Sequence, residues 1–216
     1  MKSSETVTAP GRSGRPTRQA ADRLTEHIVA CAAEQFMRHG YAGAAIEAVA
    51  AEAKVGKNTI YRRYPTKSDL FQAVVDLQMR AVLPPLERIA ADDDPRDALR
   101  RLAISLVEAA LKPETVALQR MIIAETDRFP EISAICIERA FAPAIAIARA
   151  VLERMGAGRA GAADPGFAAE QFVAGIAFGP HLYALLGRRD LTTREEIAQY
   201  VDRALGLFLG GWEEEG

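Results

Sequence analysis

Cysteine and histidine are scarce in this 216-residue chain: Cys31 and Cys136 are its two thiols, and His27, His39 and His181 its three imidazoles. Two cysteines far apart in helical patterns give no disulfide framework, and both read as small buried hydrophobes. The imidazoles and thiols also lack metal-ligand spacing, so neither a metal nor a cofactor is called for. No glycine-rich loop is placed to cradle a phosphate, and there is no nucleophile elbow. An enzyme is therefore not expected. No apolar run reaches the ~18 residues of a membrane span. Met1 to Thr8 has no apolar core, so a secretory leader is not expected either, and the cytoplasm is the expected compartment. Strand-like alternation of useful length is missing, as is any internal repeat.

What is present is ordinary for a globular protein: 49% hydrophobic and 26% charged residues. That length allows one well-filled core, or one small and one medium domain. The net charge of −2 hides an asymmetry. Residues 1–80 hold 12 Lys/Arg against 8 Asp/Glu, whereas the remainder holds 15 against 21. A basic N-terminal third on an acidic body is the distribution a nucleic-acid-reading head requires.

Helical periodicity begins at Ala20, after a tail (1–19) rich in Ser, Thr, Gly, Pro and Arg. Arg12, Arg15 and Arg18 make the tail basic enough to enter a minor groove; a merely solubilising tail is the alternative. Leu24, Ile28, Cys31/Ala32 and Phe36 mark a first amphipathic helix, and Gly40 is placed to end it with a positive φ. Ile46, Val49, Ala50 and Ala53 share one face of a second, short helix. A turn over Lys54-Val55-Gly56 leads to a third, Lys57 to Tyr64, stopped by Pro65. Thr66 and Asp69 form a capping box for a fourth, and Pro84-Pro85 stops or kinks that one. Asp94-Pro95, Lys112-Pro113, Pro130, the loop over 156–166, Gly187 and the Thr192/Thr193 boxes punctuate further helices, about nine in all.

Two short helices around a three-residue turn, packed on a longer one, are a helix-turn-helix. The outward face of the third helix is Lys57, Asn58, Thr59, Tyr61, Arg62 and Arg63, which is polar, cationic and free of acid. Such a face fits a major groove about 12 Å wide.

Gly40-Tyr41, Ile46, Val49-Ala50, Ala53, Val55 and Thr59-Ile60-Tyr61-Arg62-Arg63-Tyr64-Pro65-Thr66-Lys67-Ser68-Asp69-Leu70 resemble the signature of TetR/AcrR transcriptional regulators over roughly residues 20–72. Ala124-Glu125, Arg128-Phe129-Pro130-Glu131, Asp164-Pro165 and Ala168-Ala169 resemble the C-terminal domain of the AefR-like subgroup. The resemblance implies an all-α fold: a three-helix DNA-binding head (20–66) and a helical domain (67–216) that dimerises and binds an effector. It also implies that Lys57, Asn58 and Thr59 approach base edges. Tyr61 would lie against a phosphate or thymine methyl, Arg63 on phosphate, and Arg62 on base or backbone. Tyr64 would partly fill the head's core, and Lys67 would pair with phosphate. The sequence departs from the family where Ala44 and Ala45 replace the usual Ser or Thr, and where the turn has Lys54, which is then expected to take a left-handed backbone at some cost, and Gly56.

For the C-terminal half, the family implies a homodimer built from the last two long helices, on Leu182, Leu185, Leu186, Leu205, Phe208, Leu209 and Trp212; packing of those faces within the monomer is the alternative. A dimer would set two recognition helices ~34–36 Å apart over a near-palindromic operator. A pocket for a small lipophilic effector is expected between the helices near 95–112, 114–129 and 130–155. Its candidate walls are Leu102, Leu106, Met121, Ile122, Glu125, Phe141 and Phe178, each equally able to be plain core. Two readings stand for Glu125, a ligand contact or an ion pair with Arg128. His181 reads as a satisfied core or interface histidine, with a ligand contact as the alternative. Besides a ligand-released repressor, the sequence leaves open an activator, or a helical interaction protein without specific DNA binding.

Overall fold

The computed structural model describes residues 18–80, 82–90, 94–156, 164–188 and 190–214, the side chains of 84 and 211–214 excepted. Among them it is all helix. The head holds α1 (Arg18–Gly43), α2 (Ile46–Glu52), α3 (Lys57–Tyr61) and α4 (Lys67–Arg80). The body holds α5 (Leu83–Ala90), α6 (Pro95–Ala110), α7 (Pro113–Glu125), α8 (130–156), α9 (165–185) and α10 (Arg194–Glu214). Helices α8 and α9 are each continuous through a π-helical turn, at Ile137–Phe141 and Ala174–Phe178. Of the expected basic tail, residues up to 17 lie outside the described ones, while Arg18 and Gln19 already belong to α1.

Among the described residues there are ten helices where about nine are expected, because Pro84-Pro85 does not merely end α4. Both prolines sit in the first turn of α5, where backbone N–H groups have no intrahelical acceptor to lose. The other boundaries follow local chemistry. Asp94 caps α6 by accepting from Arg96 N and Asp97 N, with Pro95 behind it. At α4, Asp69 N donates to Thr66 Oγ1 (3.1 Å) and Thr66 N to Asp69 Oδ2 (2.9 Å), closing the box. At α10 the structure selects Thr193 with Glu196. Backbone donors from Thr192 and Thr193 hold that carboxyl down at about 2.

Two hydrophobic clusters form, and one of them crosses residue 66, where the domain boundary is expected. One joins α5, α6, the second half of α8, α9 and α10 around Leu99, Leu102, Leu152, Phe172 and Val201. The other contains the head core, Ile28, Phe36, Val49, Ile60, Leu70 and Phe71, together with Leu118, Met121, Ile122, Ile132 and Cys136 of α7 and α8. The head is therefore not a free module: α7 completes its core.

Candidate nucleic-acid interface and adjoining cavity

The turn between α2 and α3 closes α2 with the paired bonds of a Schellman end. Val55 N donates to Ala50 O (2.9 Å) and Lys54 N to Ala51 O (3.2 Å). Lys54 occupies the left-handed position at φ 54°, where glycine is preferred. At the start of α2, Ala45 makes no side-chain cap, and Gly56 makes none for α3. Ala45 is exposed, with extended backbone suited to an N-cap. Ala45→Ser therefore raises stability by about 1 kcal/mol, seen as a rise of roughly 2–4 °C in the thermal midpoint.

Beyond the turn, Ile60 is fully buried and anchors α3. Its opposite side presents Lys57, Asn58, Tyr61 and Arg62 to solvent, with Thr59 and Arg63 half-buried at the flank. Tyr64 is half-buried against the head core, and that burial raises its hydroxyl pKa. Arg63 Nη1 is buried without an acceptor among the described residues. Lys67 stands apart from this row: its Nζ donates to Ala42 O (3.0 Å) and lies 5.1 Å from the Tyr41 ring centroid. Burial lowers its pKa.

Ala42 belongs to the single turn that follows a kink at Gly40 (φ 71°, ψ 172°), a backbone region essentially reserved for glycine. Glu125, the last residue of α7, grips the same turn. It accepts from Tyr41 N at 2.6 Å and from Ala42 N at 2.7 Å. The Tyr41 ring packs on Phe36, Phe71 and Phe129, and its hydroxyl donates to Glu131. Burial, with Glu131 beside it, pushes that hydroxyl up to about 12.

Behind the head lies an apolar cavity of about 320 Å³, walled by α4 and α5 with α6, α7, α8 and α9. It exists because facing positions are small: Ala109, Ala110, Ala140, Ala144, Ala174 and Ala177 line it. Both π-helical turns open onto it, ending in the exposed rings of Phe141 and Phe178. Of the candidate wall residues, Leu106, Phe141 and Phe178 line this space. Leu102 lies in the body core and Met121 and Ile122 in the head cluster, while Glu125 holds the Gly40 turn. Cys136 and His181 are on the wall; burial pushes the Cys136 thiol up to about 11. His181 Nδ1 donates to Ala110 O (2.7 Å), since a carbonyl can only accept, so that nitrogen carries the proton. Among the described lining residues there is no Lys or Arg. Alanines give no periodic signal that separates a void from a core, and nothing in the sequence pointed to α4 as wall.

The model of the AefR-like transcriptional repressor C-terminal domain matches residues 97–213, more than half of the chain. The chain belongs to the TetR family. The model of the N-terminal domain of these bacterial regulatory proteins matches residues 28–74, the helix-turn-helix and the start of α4. An HTH-type transcriptional repressor of Streptomyces coelicolor is 44% identical over 52 residues, 24% of this chain and 27% of that protein. A TetR-family regulator from Mesorhizobium loti superposes with a TM-score of 0.75 at 24% identity, covering 90% of this chain and 98% of its own. The flavonoid-responsive regulator FrrA gives 0.71 at 27% identity, covering 88% and 97%. The chain is thus a transcriptional regulator with a helix-turn-helix head. Among the described residues, no helix is long and apolar enough to cross a membrane.

Proposed function

We propose that this TetR-family chain is a cytoplasmic, homodimeric repressor that reads a near-palindromic operator with α3 and is released by a small, uncharged lipophilic effector. The observation that carries this reading is one hydrophobic cluster with two ends. It contains Ile60 beneath the DNA-reading face, and also Val75, Leu118 and Cys136 on the cavity wall. An occupant of the cavity presses on the same packed side chains that seat the head.

Lys57, Asn58, Thr59, Tyr61 and Arg62 are the proposed groove residues. Arg63 would meet a phosphate oxygen by turning its guanidinium outward, gaining the acceptor that Nη1 lacks where it is buried. Lys67 has two further N–H donors on Nζ and would reach phosphate from beside the α4 N-terminus while keeping Ala42 O. An effector carboxylate or phosphate would meet no cation on the wall, only Glu170, so an uncharged guest is favoured. FrrA responds to flavonoids, as its name states, and such guests are of this uncharged aromatic class.

For dimerisation, Phe167, Leu182, Tyr183, Leu186 and Leu207 are exposed on or beside α9 and α10 and need a cover. Leu205 and Phe208 are not among them: Leu205 is buried in the protomer core and the Phe208 ring packs on Phe172. Leu185 and Leu209 are half-buried, and the Trp212 side chain lies outside the described residues.

Ala177→Trp tests the cavity by filling it. The uncharged fluorophore N-phenylnaphthylamine is expected to bind the wild type and to bind this variant at least about tenfold more weakly. Dye is expected to reduce the gel shift on DNA flanking the gene for the wild type and to leave that of the variant unchanged. Equal dye binding by both proteins would reject the cavity as the effector site.

A further inference from the structure

We propose that Glu125 is the positioning residue of the DNA-reading head: its carboxylate on the Gly40 turn sets the head's orientation and transmits the state of the cavity to it. The second half of this proposal rests on the effector reading above; the first does not.

The contact is built for that one carboxylate. Oε1 accepts from Tyr41 N at 2.6 Å and Oε2 from Ala42 N at 2.7 Å, so both oxygens engage successive backbone donors. These N–H groups open a new helical turn after the Gly40 kink and have no intrahelical acceptor. Hydrogen bonds to an ionised acceptor are roughly twice as strong as neutral ones. A Cβ on residue 40 would lie 2.3 Å from Oε1, so glycine is what admits the carboxylate. On the far side Lys67 donates to Ala42 O, and Lys67 opens α4 directly after α3 and its exit turn. The turn is thus held between α7 and α4.

The same helix forms part of the cavity wall. Thr115, Leu118 and Gln119 of α7 face the cavity, and Glu125 follows Gln119 by six residues, about 9 Å along a helix axis. A shift or rotation of α7 that accommodates a guest therefore moves both oxygens relative to Tyr41 N and Ala42 N. Bonds this short tolerate little displacement. Phe129 and Glu131 extend the grip to the Tyr41 ring and hydroxyl, so the junction of α7 and α8 bears on the head as a unit. A staple with only a structural role would lower stability without altering how DNA and a cavity guest sense each other.

Glu125→Gln separates these possibilities. One amide oxygen still accepts, but the NH2 group confronts the other N–H. In the full-length variant, N-phenylnaphthylamine binding is expected to stay within about twofold of wild type, while affinity for DNA flanking the gene falls about tenfold. The factor by which dye weakens DNA binding equals, by linkage, the factor by which DNA weakens dye binding. It is expected to be about fivefold or more in the wild type and to approach one in the variant. Amide exchange at Tyr41 and Ala42 is expected to speed up in the variant, and in the wild type on adding dye.

Unchanged DNA affinity in Glu125→Gln would overturn the positioning role. Lowered DNA affinity with wild-type coupling would overturn the transmission. If the dye fails to bind the wild type, the effector reading of the cavity falls, and the transmission with it; DNA affinity and amide exchange still decide the positioning. Should Glu125→Gln not melt cooperatively, Glu125→Asp takes its place, keeping the charge but drawing the oxygens back by about 1.5 Å.

Discussion

Gly40→Ala is expected to lower the thermal midpoint by roughly 10 °C, the largest stability effect foreseen for any single substitution in the head. Two costs combine. A side chain at φ 71°, ψ 172° occupies a region essentially closed to residues other than glycine, at about 1–3 kcal/mol. The new Cβ also falls 2.3 Å from Glu125 Oε1. The carboxylate ends a flexible side chain and can swing away, so the overlap itself is cheap. What it forfeits is the pair of charge-assisted bonds to Tyr41 N and Ala42 N, each worth about 1.5–3 kcal/mol. The two costs together come to about 3–5 kcal/mol once part of the hydrogen bonding is recovered from water. Melts followed by circular dichroism check this. A fall of less than about 3 °C would mean that the Gly40 turn relaxes to an ordinary helical end and is not held as seen.

The largest effect on DNA binding is expected from Arg62→Ala combined with Arg63→Ala. An arginine on a phosphate releases a counterion, so losing Arg63 lowers the slope of log K against log salt by about 0.9 per head, and the double substitution lowers it by about 1.8 where Arg62 also meets the backbone. Affinity at moderate salt falls about 100-fold, at 1–3 kcal/mol per contact. Tyr61→Ala serves as the contrast. Tyr61 is 40% exposed and brings a phenol and no cation to the face, so its loss weakens binding about tenfold and leaves the slope unchanged. Fluorescence anisotropy across a salt series distinguishes the two patterns. If the double substitution leaves the slope unaltered, these guanidinium groups do not meet the phosphate backbone.

Much of the head was readable in the sequence because its signals are local. The Thr66–Asp69 box depends on residues three apart, Asp94-Pro95 on adjacent ones, and the Lys54 strain on a turn whose length leaves one residue at positive φ. The cationic row Lys57, Asn58, Tyr61, Arg62 is exposed for the same reason: Ile60 points the other way, at helical spacing. Failures came where locality ends. Pro84-Pro85 reads as a stop or a kink, and only the chain beyond it shows that the pair opens another helix. Glu125 reads as an acid beside apolar neighbours, with a ligand or Arg128 as its nearest partners in sequence. Its actual partners lie 83 and 84 residues away and belong to the backbone, which has no sequence signature.

The order of residues alone settled that the chain is helical, where most of its helices start and stop, and which face of α3 meets solvent. Each of these depends on side chains within a turn or two of one another. The three-dimensional packing decided which alanines border empty space instead of one another, which apolar groups of α9 and α10 remain uncovered, and that α7 completes the head. Those outcomes depend on how helices from distant parts of the chain are brought together, and periodicity within one helix is blind to the partner its buried face meets.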